Sequence, residues 1–253
     1  VVISINYPSI FRQFINVFFF KTIYKIINFG NIFMHQTVKN LIKIKEDVKS
    51  KLDNNQKKIN ELKIIAVSKT FKIDHIRPLI DHGHLDFGEN KVQEAIQKWS
   101  QIKVENKNIK LHLIGRLQTN KVKSALKIFD YIHSLDSKKL ADKIFQQQEE
   151  QGSKAKLFIQ VNIGKEEQKS GVSENELFDF YNYCKSLKLD ILGLMCIPPF
   201  NEDSTKYFIR MRELSTKIGL NELSMGMSSD YLNAIENGSS FIRVGSNIFG
   251  QRG

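Results

Sequence analysis

The stretch KIIAVSKT at residues 63–70 decides the fold. Ile64, Ile65, Ala66 and Val67 are consecutive apolar residues, so a strand here would be buried on both faces. FIQVNI at 158–163 reads the same way. Strands buried on both faces are parallel strands covered by helices. Outward from 63–68, further strand-like runs fall at 84–87, 109–114, 130–134, 156–163, 190–197, 221–226 and 240–244. Helical patterns lie between them at 74–81, 89–101, 119–127, 137–151, 173–187, 201–218 and 229–237, with a short one after 246. A further helix is predicted over 36–60, because Val38, Leu41, Ile42, Lys45, Val48 and Leu52 recur at spacings of three and four. Eight βα units in about 190 residues predict an α/β fold, a single-domain TIM barrel preceded by an N-terminal helix.

Composition agrees with a globular chain. Of 253 residues, 41% are hydrophobic and 26% charged, which excludes collagen-like and disordered classes. Cys184 and Cys196 sit in no CxxC, so neither a structural zinc site nor a disulfide framework is expected, and a reducing, cytoplasmic setting fits. No metal constellation stands out. His82 and His84 read as a helix-end cap and a loop.

The net charge of +11 is unevenly spread. Residues 1–45 hold six basic and no acidic residues, which leaves +5 on residues 46–253. Mixed signs at that level describe a solvated surface, so no nucleic-acid partner is expected. Residues 1–33 carry seven of the eighteen Phe and look foreign to the rest. The expected start of the fold is Met34, with the preceding residues read as translated non-coding sequence outside the barrel, residues 34–253. A targeting presequence and a membrane anchor are the alternatives. The longest uncharged stretch there, 26–38, is short of the ~20 apolar residues a span requires, so no membrane partner is expected.

A barrel of this kind carries its chemistry where strands end. Lys69 follows the first apolar run and is either a rim lysine with its stem packed or a partly desolvated amine suited to a Schiff base. Glu89 and Asn90 are placed at a helix start, where Asn90 would also suit an N-cap. His112 alternates with Leu111 and Leu113 and is placed inside the barrel, as a core residue or a functional one. Arg116, Gln118, Asn120 and Lys121 form a polar loop over the mouth. His133, Ser134, Asp136, Asn162 and Met195 mark the fourth to sixth strand ends. The loop at 160–172 reads as a lid or a plain surface loop. MGMSSD (225–230) and GSNIFG (245–250) follow the last two strands with glycines and serines. A phosphate site after strands seven and eight recurs in this barrel, built from backbone N–H groups and a helix dipole. Ordinary βα loops are the plain alternative. With Lys69 beside them in a closed barrel, a ligand with a phosphate and an electrophilic carbonyl fits. Pyridoxal phosphate has that layout.

AVSKT (66–70), FGEN (87–90), HLIGRLQTNK (112–121), HSLDS (133–137), GLMCIPP (193–199), LSMGMSSD (223–230) and IRVGSNIFG (242–250) resemble the pyridoxal phosphate homeostasis proteins. That group is related to the alanine racemase barrel, among the fold-type III pyridoxal phosphate proteins. The resemblance covers about residues 36–252. It implies Lys69 as the Schiff-base lysine. It also implies a phosphate cradle of Ser228, Ser229, Gly245 and Ser246, and Arg243 at the pyridine nitrogen. Asn90 and His112 match positions lining the cofactor, and Met195 packs close to it. An arginine only donates, so it disfavours a protonated ring and weakens the electron sink. Racemases resembling this barrel draw a second base from an additional C-terminal domain, for which no residues are expected after Gly253. The expected function is therefore a monomer that holds pyridoxal phosphate through Lys69 and buffers its supply, with pyridoxal phosphate-dependent apo-enzymes as recipients and no turnover. A weak amino-acid racemase is the alternative. A basic nucleic-acid or membrane-surface protein using residues 1–45 is a third reading.

Overall fold

The computed structural model describes residues 34–54, 62–166 and 168–251. Eight strands pair in sequence order and close on themselves, all parallel. They are β1 (Lys63–Val67), β2 (Asp86–Glu89), β3 (Lys110–Leu113), β4 (Tyr131–Leu135), β5 (Lys156–Gln160), β6 (Ile191–Met195), β7 (Glu222–Met227) and β8 (Phe241–Val244). The closing seam pairs Ile65 with Arg243 across β1 and β8. Helices follow every strand: α2 (Ile73–Asp81), α3 (Val92–Glu105), α4 (Val122–Ala125), α5 (Lys138–Gln151), α6 (Leu177–Ser186), α7 (Thr205–Lys217), α8 (Tyr231–Glu236) and α9 (Ser246–Phe249). This is the predicted TIM barrel. No helix among the described residues is long and apolar enough to cross a membrane.

Two layers of core follow from period-two alternation in the strands. Outward residues such as Ala66, Phe87, Leu111 and Ile132 pack under the helices. Inward residues Ile65, Tyr131, Phe158, Met195 and Phe241 fill the barrel itself.

The helix before the barrel, α1 (Gln36–Asn54), buries Val38, Leu41, Ile44, Val48 and Leu52. Ile44 completes the stripe where Ile42 and Lys45 were predicted, because Ile42 is only half-buried and Lys45 is exposed. Residues 55–60 of the predicted helix lie outside the described residues. The helix spans the barrel seam: Asn40 Nδ2 donates to the Ile248 carbonyl at 2.9 Å, and the Tyr231 hydroxyl donates to Asp47 at 3.1 Å.

β2, predicted at 84–87, lies two residues later at Asp86–Glu89. His82 caps α2 as expected, and Gly83 then takes a left-handed turn (φ 83°). His84 is buried, hydrogen-bonded to the Asp86 carbonyl at 2.9 Å and set edge-on against Phe87. Those residues are used in leaving the helix, so the strand starts later. Glu89 consequently ends a strand and does not start a helix. The loop at 160–172 is pinned: Val161 bridges Val172, Gln160 donates to the Ser170 carbonyl at 2.9 Å, and Lys169 donates to the Pro198 carbonyl at 3.2 Å.

Candidate functional site

A cavity of about 660 Å³ opens at the C-terminal ends of the strands. Lys69, Asn90, Ser228, Ser229, Arg243, Gly245 and Ser246 line it together. These seven come from separated stretches of sequence, and barrel closure brings β1 beside β8.

Each position has a local cause. Lys69 is half-buried, directly beyond β1. Asn90 is held by a close approach: a Cβ on Gly115 would lie 2.4 Å from the Asn90 carbonyl oxygen. Asn90 does not cap α3, whose N-cap is Lys91 with no side-chain bond. Gly226 has φ +90°, and a Cβ there would meet Ala234 at 2.5 Å, so only glycine lets α8 fold back onto β7. That turn presents Ser228, whose Oγ accepts from Gly245 N at 3.2 Å and joins the two loops. The main-chain N–H groups of Ser228, Ser229 and Ser246 donate to no other atom among the described residues. Such unpartnered donors are suited to an anion.

Arg243 is 4% exposed, and its guanidinium is fixed by two bonds. It donates to Ser224 Oγ at 2.7 Å and to the Cys196 carbonyl at 2.8 Å. From Ser224 a chain runs through the barrel interior. His133 Nδ1 lies 2.8 Å from Ser224 Oγ, His133 Nε2 lies 3.0 Å from His112 Nδ1, and His112 Nε2 lies 3.0 Å from Asp86 Oδ1. One end is donor-only and the other, an ionised carboxylate, acceptor-only. With both imidazoles neutral, donation runs Arg243 to Ser224 to His133 to His112 to Asp86, and each ring is a single tautomer. Burial lowers the pKa of His112, against the pull of Asp86. Burial, then His112 and Arg243, push His133 well below the ordinary histidine value. Burial alone would raise Asp86, but the His112 hydrogen bond and the nearby Lys63 charge leave it lowered. With His112 neutral, its contact with Asp86 is a hydrogen bond and not an ion pair.

His112 does not line the cavity, contrary to expectation, and Met195, expected to pack close to the cofactor, is not among the lining residues either. Both are fully buried in the barrel interior. His112 stacks on Tyr131 at 4.4 Å, and Met195 packs in the cluster with Phe158 and Phe241. The residues two positions further along, Ile114 and Ile197, line the cavity instead. Inward positions recur every second residue, so the expectation was one pleat too deep. Counting from the strand end would have found Ile114 and Ile197. Phe200, 92% exposed at the rim, carried no sequence signal. Arg116 and Gln118, predicted over the mouth, line a separate cavity with Asp136.

The fold and site define a parallel eight-stranded barrel with its cavity at the strand C-terminal ends. The family model for the alanine racemase N-terminal domain matches residues 45–253. The pyridoxal phosphate homeostasis protein of Aquifex aeolicus is 39% identical over 203 residues, covering 76% of this chain and 88% of that one. The human pyridoxal phosphate homeostasis protein is 36% identical over 211 residues, covering 75% of this chain and 76% of its own. PipY of Synechococcus elongatus, solved with pyridoxal phosphate bound, superposes with a TM-score of 0.70 at 34% identity, covering 80% of this chain and all of that one. An alanine racemase of Clostridium difficile shares the fold at 16% identity and a TM-score of 0.65, covering 86% of this chain and 57% of that one. The chain belongs to the pyridoxal phosphate homeostasis protein family.

Proposed function

We propose that the protein binds pyridoxal phosphate in this cavity, anchors it on Lys69, and serves cofactor homeostasis by holding and handing it over without turnover. The observation that carries this reading is the convergence of Lys69, Arg243 and three unpartnered main-chain donors on one open cavity. The donor set suits the group: N–H groups for a phosphate, an amine for an aldehyde, and an arginine for a ring nitrogen. When bound, pyridoxal phosphate supplies an aldehyde with which a neutral primary amine condenses, two amine protons leaving with the carbonyl oxygen as water.

The chain's own residues do the rest. Ser228, Ser229 and Ser246 hold the phosphate by main-chain and hydroxyl donors, and Ser228 ties their two loops together. Asn90 and Gly245 complete the lining. Arg243 offers donors only, so a ring nitrogen facing it stays unprotonated, which disfavours carbanion chemistry. His112 and Met195 act from below the cavity, His112 through Arg243 and Met195 by packing. Homologues named for homeostasis and not for a reaction support the absence of turnover. Residues 34–253 form the binding unit, with residues 1–33 outside it. The protein works as a cytoplasmic monomer, and pyridoxal phosphate-dependent apo-enzymes take the cofactor from it.

The test is borohydride reduction of the full chain with pyridoxal phosphate, followed by peptide mass mapping. The expected result is a phosphopyridoxyl group on Lys69 that is absent from Lys69→Ala. An adduct spread over surface lysines would overturn the anchor. Steady conversion of an L-amino acid to its D-form would overturn the absence of turnover.

A further inference from the structure

Both main-chain neighbours of Lys69 are tied to one cluster on the outer side of the barrel. Glu89, at the end of β2, has no exposed surface. Its Oε1 accepts from Ser68 Oγ at 2.7 Å, from Lys98 Nζ at 2.9 Å and from Trp99 Nε1 at 3.0 Å. Lys98 Nζ also donates to the Ser68 carbonyl at 3.0 Å and to Glu94 Oε1 at 3.0 Å. Glu94 Oε1 in turn accepts from the main-chain N–H of Thr70 at 2.7 Å. Ser68 is thus bound through its hydroxyl and its carbonyl, and Thr70 through its N–H. Lys69 lies between them.

The conformation held in this way is an unfavourable one. Thr70 has φ 69°, in the left-handed region that β-branched residues avoid. Its acceptor is a carboxylate, which makes a stronger bond than a neutral one. All three protons of the Lys98 ammonium are used, on three acceptors from three stretches of chain. Glu89 Oε2 has no hydrogen-bond partner among the described residues, so this buried carboxylate is kept although it is only half satisfied. An apolar residue would serve packing alone better.

We propose that Glu89, Lys98 and Glu94 form a positioning clamp that fixes the main chain on both sides of Lys69 and so aims its amine into the cavity. None of the three lines that cavity. They act through Ser68 and Thr70. The proposal rests on Lys69 being the anchor.

The test compares covalent capture with simple binding on the full chain. Capture is the rate at which Lys69 becomes fixed to pyridoxal phosphate in borohydride-quenched time points. Binding is the affinity for pyridoxine 5′-phosphate, which has the phosphate and ring but no aldehyde. Glu94→Ala is expected to slow capture by about tenfold or more, because misaimed reacting groups lose rate steeply, with pyridoxine phosphate affinity unchanged within about twofold. Glu94→Gln keeps an oxygen for the Thr70 N–H and should recover most of the rate. Lys98→Met should slow capture and Lys98→Arg should restore part of it. Equal capture in wild type and Glu94→Ala would overturn the clamp, as would parallel loss of capture and pyridoxine phosphate binding. No Lys69 adduct in the wild type would instead overturn the anchor.

Discussion

Lys69, just beyond β1, and Arg243, on the neighbouring β8, face the same cavity, and their surroundings fix them at different points. Arg243 is secured by its head group: two guanidinium bonds and a chain of neutral groups ending at Asp86 leave it nearly immobile. Lys69 is secured through its neighbours, with Ser68 and Thr70 bonded to Glu89, Lys98 and Glu94. On the proposed anchoring, Lys69 must react, and a reacting side chain needs a main chain fixed on both sides. A group that must only present a donor is better with the head itself fixed. In the proposed function this difference separates chemistry from positioning across one barrel seam.

The comparison breaks most completely at Lys69. Lys69→Ala should remove all mapped adduct while pyridoxine phosphate still binds, since the cradle and Arg243 remain. Next in size is acid sensitivity on the Arg243 side. His112 and His133 have lowered pKa values in the fold, and burial takes His84 down to about 4. In the unfolded chain each regains a value near 6.5, and every tenfold difference in proton affinity between the two states is about 1.4 kcal/mol. The unfolded state therefore binds more protons below that value, and the stabilisation present above pH 6.5 is lost as pH falls toward the folded values. Urea midpoints should fall steeply between pH 7 and pH 5, and a flat profile would contradict the neutral imidazoles. Ser224→Ala should cost about 1–3 kcal/mol in urea unfolding at pH 7.5, because it strands donors and acceptors in a dry interior. Smallest is Glu94→Ala. Its side chain is 28% exposed, so its loss should cost no more than about 1 kcal/mol in the same assay. A carboxylate with a small effect on stability and a large effect on capture would sharpen the contrast; the reverse would erase it.

How much of this was readable in advance varies with what holds each residue. All eight strands were located, several of them as runs apolar on both faces such as IIAV and FIQVNI, because burial on both faces leaves a local trace. β2 slipped because His84 and Leu85 look strand-like while the main chain there is still leaving α2. Lys69 and the serines of loops seven and eight were legible from their place at strand ends. His112 and Met195 were one pleat off, since strand ends cannot be fixed to a single residue from pattern alone. The clamp was invisible. Glu94 and Lys98 carry only the four-residue spacing of a common helix-surface pair, and the partner that gives them meaning, Ser68, is 30 residues before Lys98.

The contact between α1 and α9 sets an order in time. Asn40 and the Ile248 carbonyl it holds are 208 residues apart. At about 5–20 residues per second on the ribosome, roughly 10–40 s separate their synthesis. The strand seam and the loop bearing Ser246 close only after that interval. Through that interval the nascent chain displays Lys69 without the loop bearing Ser246 beside it.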